Sequence, residues 1–214
     1  MTRFQTVLLD LDGTVIDSVA LIRESHRHAV RRVLGLELPD ERLVANVGRP
    51  LPEQMRHFST EHVEPLLEAY QEWNEANTTR LLRAYEDLDA ALVHLRDRGV
   101  RLGIVTSKRA RMVALAWDVL PLHGLFDVVI TADDTDRHKP DPEPIRIALE
   151  RLGADAGSAA FVGDAPFDIQ AGNAAGVHTV GVTWGFFTRA QLEPEAPDEI
   201  VDTVAELEAY VLGG

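Results

Sequence analysis

Residues Val7-Leu8-Leu9-Asp10-Leu11-Asp12-Gly13-Thr14 run three apolar side chains straight into an acid, a spacer, a second acid and a glycine turn. A short apolar run closed by such a turn reads as a buried strand. In open α/β sheets the ligand crevice lies beyond the carboxyl ends of the strands, which is where Asp10 falls. Asp10 and Asp12 are two residues apart, so an extended chain points both carboxylates to one face. Two crowded carboxylates do not both ionise cheaply unless a cation sits between them or one keeps a proton. Either arrangement is chemically useful: one acid attacks, the other shuttles a proton, and a hard metal neutralises the charge. Taken by itself the stretch also fits a solvated turn, where Asp and Gly are common.

The remaining pattern alternates. Val19, Ile22, His26, Ala29, Val30 and Val33 recur at helical spacing up to Gly35, with Asp17 or Ser18 as a cap. Shorter helices are expected from Asp40 and from Pro52, separated by the break Gly48-Arg49-Pro50, and a longer one begins near Pro65. No β-rich run interrupts this region. From Leu82 onward strands and helices take turns: strands at 100–105, 128–130, 159–162 and a last one at 177–182, with helices between them and a final helix at 205–212. Strands alternating with helices of this length predict a parallel sheet with right-handed crossovers. About ninety residues separate the first strand from the second, far more than a loop requires. The expected architecture is therefore α/β: a Rossmann-like parallel sheet core from residues 1–15 and 82–214, with an inserted helical cap domain over 16–81 hinged near Ile16 and Arg80.

A parallel sheet gathers its strand ends, here Asp10 and Asp12, Thr106 and Ser107, and Asp164, with Lys139-Pro140 just before a helix. Phosphoryl transfer spreads charge over the moving oxygens and is catalysed by positioning, cations and hydrogen bonds, which this residue set can supply. Singly the parts have plainer readings, Thr106-Ser107 as a helix cap, Lys139 as a surface lysine and Asp164 as a turn residue.

In order and placement the set resembles the four motifs of the haloacid dehalogenase-like phosphohydrolases: Asp10-Leu11-Asp12-Gly13-Thr14, Thr106-Ser107, Lys139-Pro140, and Gly163-Asp164 with Asp168. The resemblance spans nearly the whole chain and implies a phosphatase or phosphomutase, because Asp12 stands where the dehalogenases carry another residue. It implies that Asp10 attacks phosphorus to form an aspartyl phosphate and that Asp12 is the acid/base. It also implies that Asp10, the backbone carbonyl of Asp12, and Asp164 bind Mg2+, with Asp168 supporting them from behind. Gly13, Thr14, Thr106, Ser107 and Lys139 would hold the phosphoryl group. Within the family the chain looks most like the phosphoglycolate phosphatase and pyrophosphatase branch, leaning to pyrophosphatase through Gly48-Arg49-Pro50-Leu51 and Lys139-Pro140-Asp141-Pro142. It departs from many relatives at Glu86-Asp87, where they have Pro-Gly.

The inserted helices are expected to choose the substrate. Arg49 could fork onto a carboxylate or second phosphate, and a plain surface arginine is the competing reading. Lys108 and Arg109 are secondary candidates, and Trp184-Gly185-Phe186 is assigned to core packing. The eight histidines show no ligand spacing. A β-phosphoglucomutase-like mutase shares both aspartates but not the Arg49-Pro50 pair, and a receiver-type signalling module lacks the helical insert.

Lys plus Arg number 21 against 35 Asp plus Glu, a formal charge of -14. That disfavours nucleic acid and anionic membranes as partners, while an anionic small-molecule substrate stays compatible because a metal can reverse the local field. The absence of cysteine excludes disulfides and thiolate chemistry. With a first strand expected within a few residues of the start, no leader is expected, and the expected setting is the cytoplasm, as a monomer or homodimer.

Overall fold

The structure is a computed structural model and describes residues 2–214. In chain order it contains β1 (Thr6–Leu9), β2 (Ile16–Asp17), α1 (Val19–Leu34), α2 (Asp40–Val44), α3 (Leu51–Phe58), α4 (Val63–Leu81) and β3 (Arg83–Ala84). There follow α5 (Leu88–Asp97), β4 (Arg101–Val105), α6 (Ala110–Val119), β5 (Val128–Ile130), α7 (Glu143–Leu152), β6 (Ala159–Gly163), α8 (Pro166–Ala175), β7 (His178–Val182), α9 (Arg189–Leu192), β8 (Glu199–Val201) and α10 (Val204–Leu212).

Six strands form one parallel sheet in the order β5-β4-β1-β6-β7-β8. The chain steps outward from β1 to β4 and β5, then returns to lay β6 on the other side of β1. The reversal between β1 and β6 is the switch point at which such sheets open a crevice. β1 is apolar without alternation because both its faces are covered. Val7 and Leu9 pack with Leu92 and Leu95 of α5, Val113 of α6 and Leu207 of α10. Leu8 faces the other way, into Ile145 and Ala148 of α7 and Ala171 of α8.

The long insertion is helical, as expected, and has its own apolar cluster: Ala29, Val30, Leu43, Met55, Leu66, Ala69 and Tyr70. It leaves and rejoins the sheet through an antiparallel pair, β2 with β3, that matches Ile16 to Ala84 and Asp17 to Arg83. These two-residue strands were not expected from the sequence; they flank the insertion, and no strand interrupts its helices from α1 to α4. β8 is a second correction, since 177–182 was expected to close the sheet; instead Val180 pairs with Glu199 and Val182 with Val201. The insertion also touches the sheet side. Ile22 and Val47 pack against Ala165, Ile169 and Phe187.

Asp87, just before α5, holds a left-handed backbone with φ of 61° and makes no side-chain capping bond. This is the position at which many relatives of the resembled family carry glycine. An L-residue other than glycine is strained there. Asp87→Gly should therefore stabilise the fold by about 0.5–1 kcal/mol, which thermal unfolding would report as a rise in Tm of about 1–4 °C. An unchanged or lowered Tm would show that the turn carries no strain.

Candidate active site

Asp10 follows the last residue of β1 and continues the ladder, its N–H donating to the Val162 carbonyl at 2.9 Å. Thr106 does the same beyond β4, donating to Ile130 at 2.9 Å. Asp164 follows β6. The central strands thus deliver three polar side chains to one edge.

The base of the site is a buried charge cluster. Lys139 Nζ donates to Asp10 Oδ1 at 2.7 Å, to Asp168 Oδ1 at 2.6 Å and to the Val105 carbonyl at 3.4 Å. An ammonium has three N–H donors, so all of Lys139 is engaged. Asp168 also accepts from the Ala165 N–H at 3.0 Å, and so joins the start of α8 to the cluster. Asp164 accepts from the Thr14 hydroxyl at 3.2 Å and from the Phe186 N–H at 2.6 Å. The chain comes so close at Asp164 that two glycines are required. A Cβ on Gly13, whose φ is 85°, would lie 2.5 Å from Asp164 Oδ2, and one on Gly185 would overlap the same carboxylate.

Asp10, Asp164 and Asp168 each offer an oxygen, all within 4.8 Å of one another. The three carboxyls and the ammonium are all buried, and Lys139 reaches Asp10 and Asp168. Burial raises the Asp10 pKa to about 7, with Lys139 opposing and Asp168 and Asp12 reinforcing the rise. Burial, Asp168 and Asp10 likewise push Asp164 well above the carboxylate range. Burial works against the Lys139 cation, but Asp10 and Asp168 outweigh it and hold the ammonium protonated. An all-oxygen donor set, in which three carboxyls outnumber one ammonium and burial resists their ionisation, fits a hard divalent cation such as Mg2+.

Above this base lies a cleft of about 340 Å³ whose walls come from the strand ends and from the inserted helices. Asp10, Asp12, Thr106, Ser107, Lys108 and Asp164 form the sheet side, and Arg49, Gln54, Tyr70 and Asn74 form the helical side. Ser107 Oγ donates across it to the Gly48 carbonyl at 2.7 Å. Thr106 Oγ1 accepts from the Lys108 N–H at 3.1 Å. The Arg49 guanidinium stacks over Phe167 at 4.4 Å and pairs with Glu53 at 3.2 Å, with its Nε buried and unpartnered.

Of the residues expected from sequence, Asp10, Asp12, Asp164, Thr106, Ser107 and Arg49 meet at the cleft. Gly13, Thr14, Lys139 and Asp168 stand behind it and hold the others. Three participants carried weak signals. Lys108, a secondary candidate, places Nζ 2.8 and 2.9 Å from the two oxygens of Asp12. Phe186, assigned to packing, contributes a backbone N–H, which no side-chain pattern reveals. Trp184 is also polar in its role, donating from Nε1 to the Thr14 carbonyl at 3.1 Å.

A family model described as haloacid dehalogenase-like hydrolase matches residues 7–182. The pyrophosphatase PpaX of Bacillus velezensis is 34% identical over 205 residues, 96% of this chain and 95% of that protein. The pyrophosphatase PpaX of Anoxybacillus flavithermus is 35% identical over 202 residues, 94% of each. Among solved structures, a predicted phosphatase from Clostridium acetobutylicum superimposes with a TM-score of 0.87 at 25% identity, covering 99% of both chains.

The charge excess sets a pH dependence. With a folded pKa near 7 against an ordinary 3.8, Asp10 favours the fold while protonated and loses that contribution as pH rises through about 7. Asp164 acts in the same direction. Buried His26 acts oppositely: burial lowers its pKa to about 3, so the fold loses stability as pH falls below the ordinary 6.5. Above the ordinary His26 value of 6.5 the carboxylates therefore dominate, up to about pH 8, one unit past the folded Asp10 value. Metal-free protein should melt lower at the upper end, and Mg2+ should raise Tm more there than at pH 7. Equal Mg2+ shifts at both values would contradict the charge assignment.

Proposed function

The chain belongs to the haloacid dehalogenase-like hydrolase family, and we propose that it is a Mg2+-dependent phosphohydrolase acting on pyrophosphate or a small phosphorylated metabolite. The observation that carries this reading is the buried Asp10–Lys139–Asp168 cluster, lodged under a cleft at the switch point of the sheet. The names of the two pyrophosphatase relatives, matched along nearly their whole length, favour pyrophosphate. They lend no support to a phosphomutase or a receiver-type module.

In this reading Asp10 Oδ1 is fixed by Lys139, and the carboxylate is presented to the cleft it lines. Asp10 attacks phosphorus while the bond from phosphorus to the leaving oxygen breaks, and Asp12 gives that oxygen its proton. Asp12 then takes a proton from water as the water oxygen attacks the same phosphorus, which releases phosphate and restores Asp10. Thr106 and the Ser107 backbone N–H hold the transferred oxygens. Asp10, the Asp12 carbonyl and Asp164 would hold Mg2+, and Asp168 keeps Lys139 and α8 in place behind them. The bound cation supplies positive charge to the phosphoryl oxygens. Residues 16–81 serve as a cap that excludes water and presents Arg49 to a second anionic group.

Asp10→Asn keeps the shape but removes the attacking oxygen, so turnover should fall by several orders of magnitude with the fold intact. Excess chelator should abolish activity reversibly. A variant that kept a tenth of wild-type turnover, or full activity in chelator, would refute the mechanism. Arg49→Ala should raise KM for pyrophosphate by about tenfold or more, a lost charge-assisted hydrogen bond of about 1.5–3 kcal/mol, and should affect an aryl phosphate much less. Equal losses on both substrates would mean that Arg49 acts on the common phosphoryl group or on the fold.

A further inference from the structure

The two lysines of the site are held in contrasting ways. Lys139 is 2% exposed and spends all three N–H donors on the protein. Among the described residues Lys108 has a single side-chain partner, Asp12, whose two oxygens it occupies at 2.8 and 2.9 Å. Both members of this pair line the cleft, with side chains 12% and 14% exposed.

The Lys108 backbone is pinned. Its N–H donates to Thr106 Oγ1, and its carbonyl accepts from the Ala132 N–H at 3.0 Å. Only the side chain is free to move, and a lysine ammonium is a point charge on a flexible four-carbon stem. The state with both Asp12 oxygens engaged is unsuited to acid/base work, which needs one oxygen at the leaving atom and later at the water. Something must draw Nζ away. Arg49 lines the opposite wall of the same cleft, so a second anionic group between the walls would meet both cations. Exchanging one anionic partner for another avoids leaving a half-buried ammonium unpaired. A ligand shifts such an equilibrium only through contacts that differ between its two states, and an anion competing for Nζ is such a contact.

We propose that Lys108 is a substrate-operated latch on Asp12. It pairs with Asp12 in the free protein and transfers to the second anionic group of a bound substrate, which releases Asp12 for proton transfer. Lys108 is thus a positioning residue that selects for substrates with two anionic groups, such as a diphosphate or a phosphorylated carboxylic acid. The latch rests on the phosphohydrolase reading and on Asp12 as its acid/base.

The test compares Lys108→Met with wild type on pyrophosphate, phosphoglycolate and p-nitrophenyl phosphate, all with Mg2+. The aryl ester lacks a second anion and must open the latch unaided in wild type. Its kcat should rise in the variant, while KM for the better two-anion substrate rises. The ratio of the two kcat/KM values should then fall by about tenfold or more. A residue needed only for folding would lower both activities together and could not raise a kcat. A ratio that falls less than tenfold, or an aryl phosphate kcat that drops, overturns the latch. If Lys108→Met does not fold, Lys108→Gln is read by the same criteria. Wild-type protein that hydrolyses none of the three removes the phosphohydrolase reading and the latch with it. Asp12→Asn separates the two failures: if it abolishes all turnover while Lys108→Met leaves the ratio unchanged, only the latch is wrong.

Discussion

One buried ammonium holds the active end of this molecule together. Lys139 lies between Asp10 at the tip of β1 and Asp168 in the first turn of α8, and it also reaches the last carbonyl of β4. Three separate stretches of chain meet on one nitrogen. Groups of this kind are costly to bury and more costly to leave unpaired, so the network is all-or-none. Its geometry fixes where the Asp10 carboxylate points. Its charge count leaves the carboxylates in excess, which is the demand a divalent cation satisfies.

The walls above this base are held more loosely. Asp164 is clamped by Thr14 and the Phe186 N–H, but Asp12, Lys108 and Arg49 have partners that can be exchanged. The helical insertion meets the sheet through the short β2–β3 pair, the Ser107–Gly48 hydrogen bond and the contacts of Ile22 and Val47. A rigid base that fixes Asp10 under an adjustable rim suits the phosphoryl transfer we propose, where positioning and charge do most of the work.

Most of the fold was legible because its signals are local. Short, mostly apolar runs marked β1, β4, β5, β6 and β7, and helical spacing with glycine stops marked α1, α5, α7 and α8. β8 escaped because Glu199-Ile200-Val201 opens on an acid and leaves only two apolar residues, where the equally short β5 is apolar throughout, and β2 and β3 escaped because two-residue strands have no period. At the site, Asp10, Asp12 and Asp164 were visible from their places at strand ends. The tasks of the two lysines were not, because spacing does not reveal which ammonium is buried and saturated and which faces a cleft. Phe186 acts through its backbone, and Asp87 adopts a conformation that side-chain chemistry does not announce.

The account turns on Asp10 as the group that takes the phosphoryl. Borohydride reduces an acyl phosphate to an alcohol, so wild-type protein quenched during turnover with Mg2+ and treated this way should carry homoserine in place of Asp10, as read by peptide mass spectrometry. The product should be absent without substrate. Reduction at another carboxylate, or unmodified Asp10 under steady turnover in wild type, with an authentic acyl phosphate reduced in parallel, would contradict it.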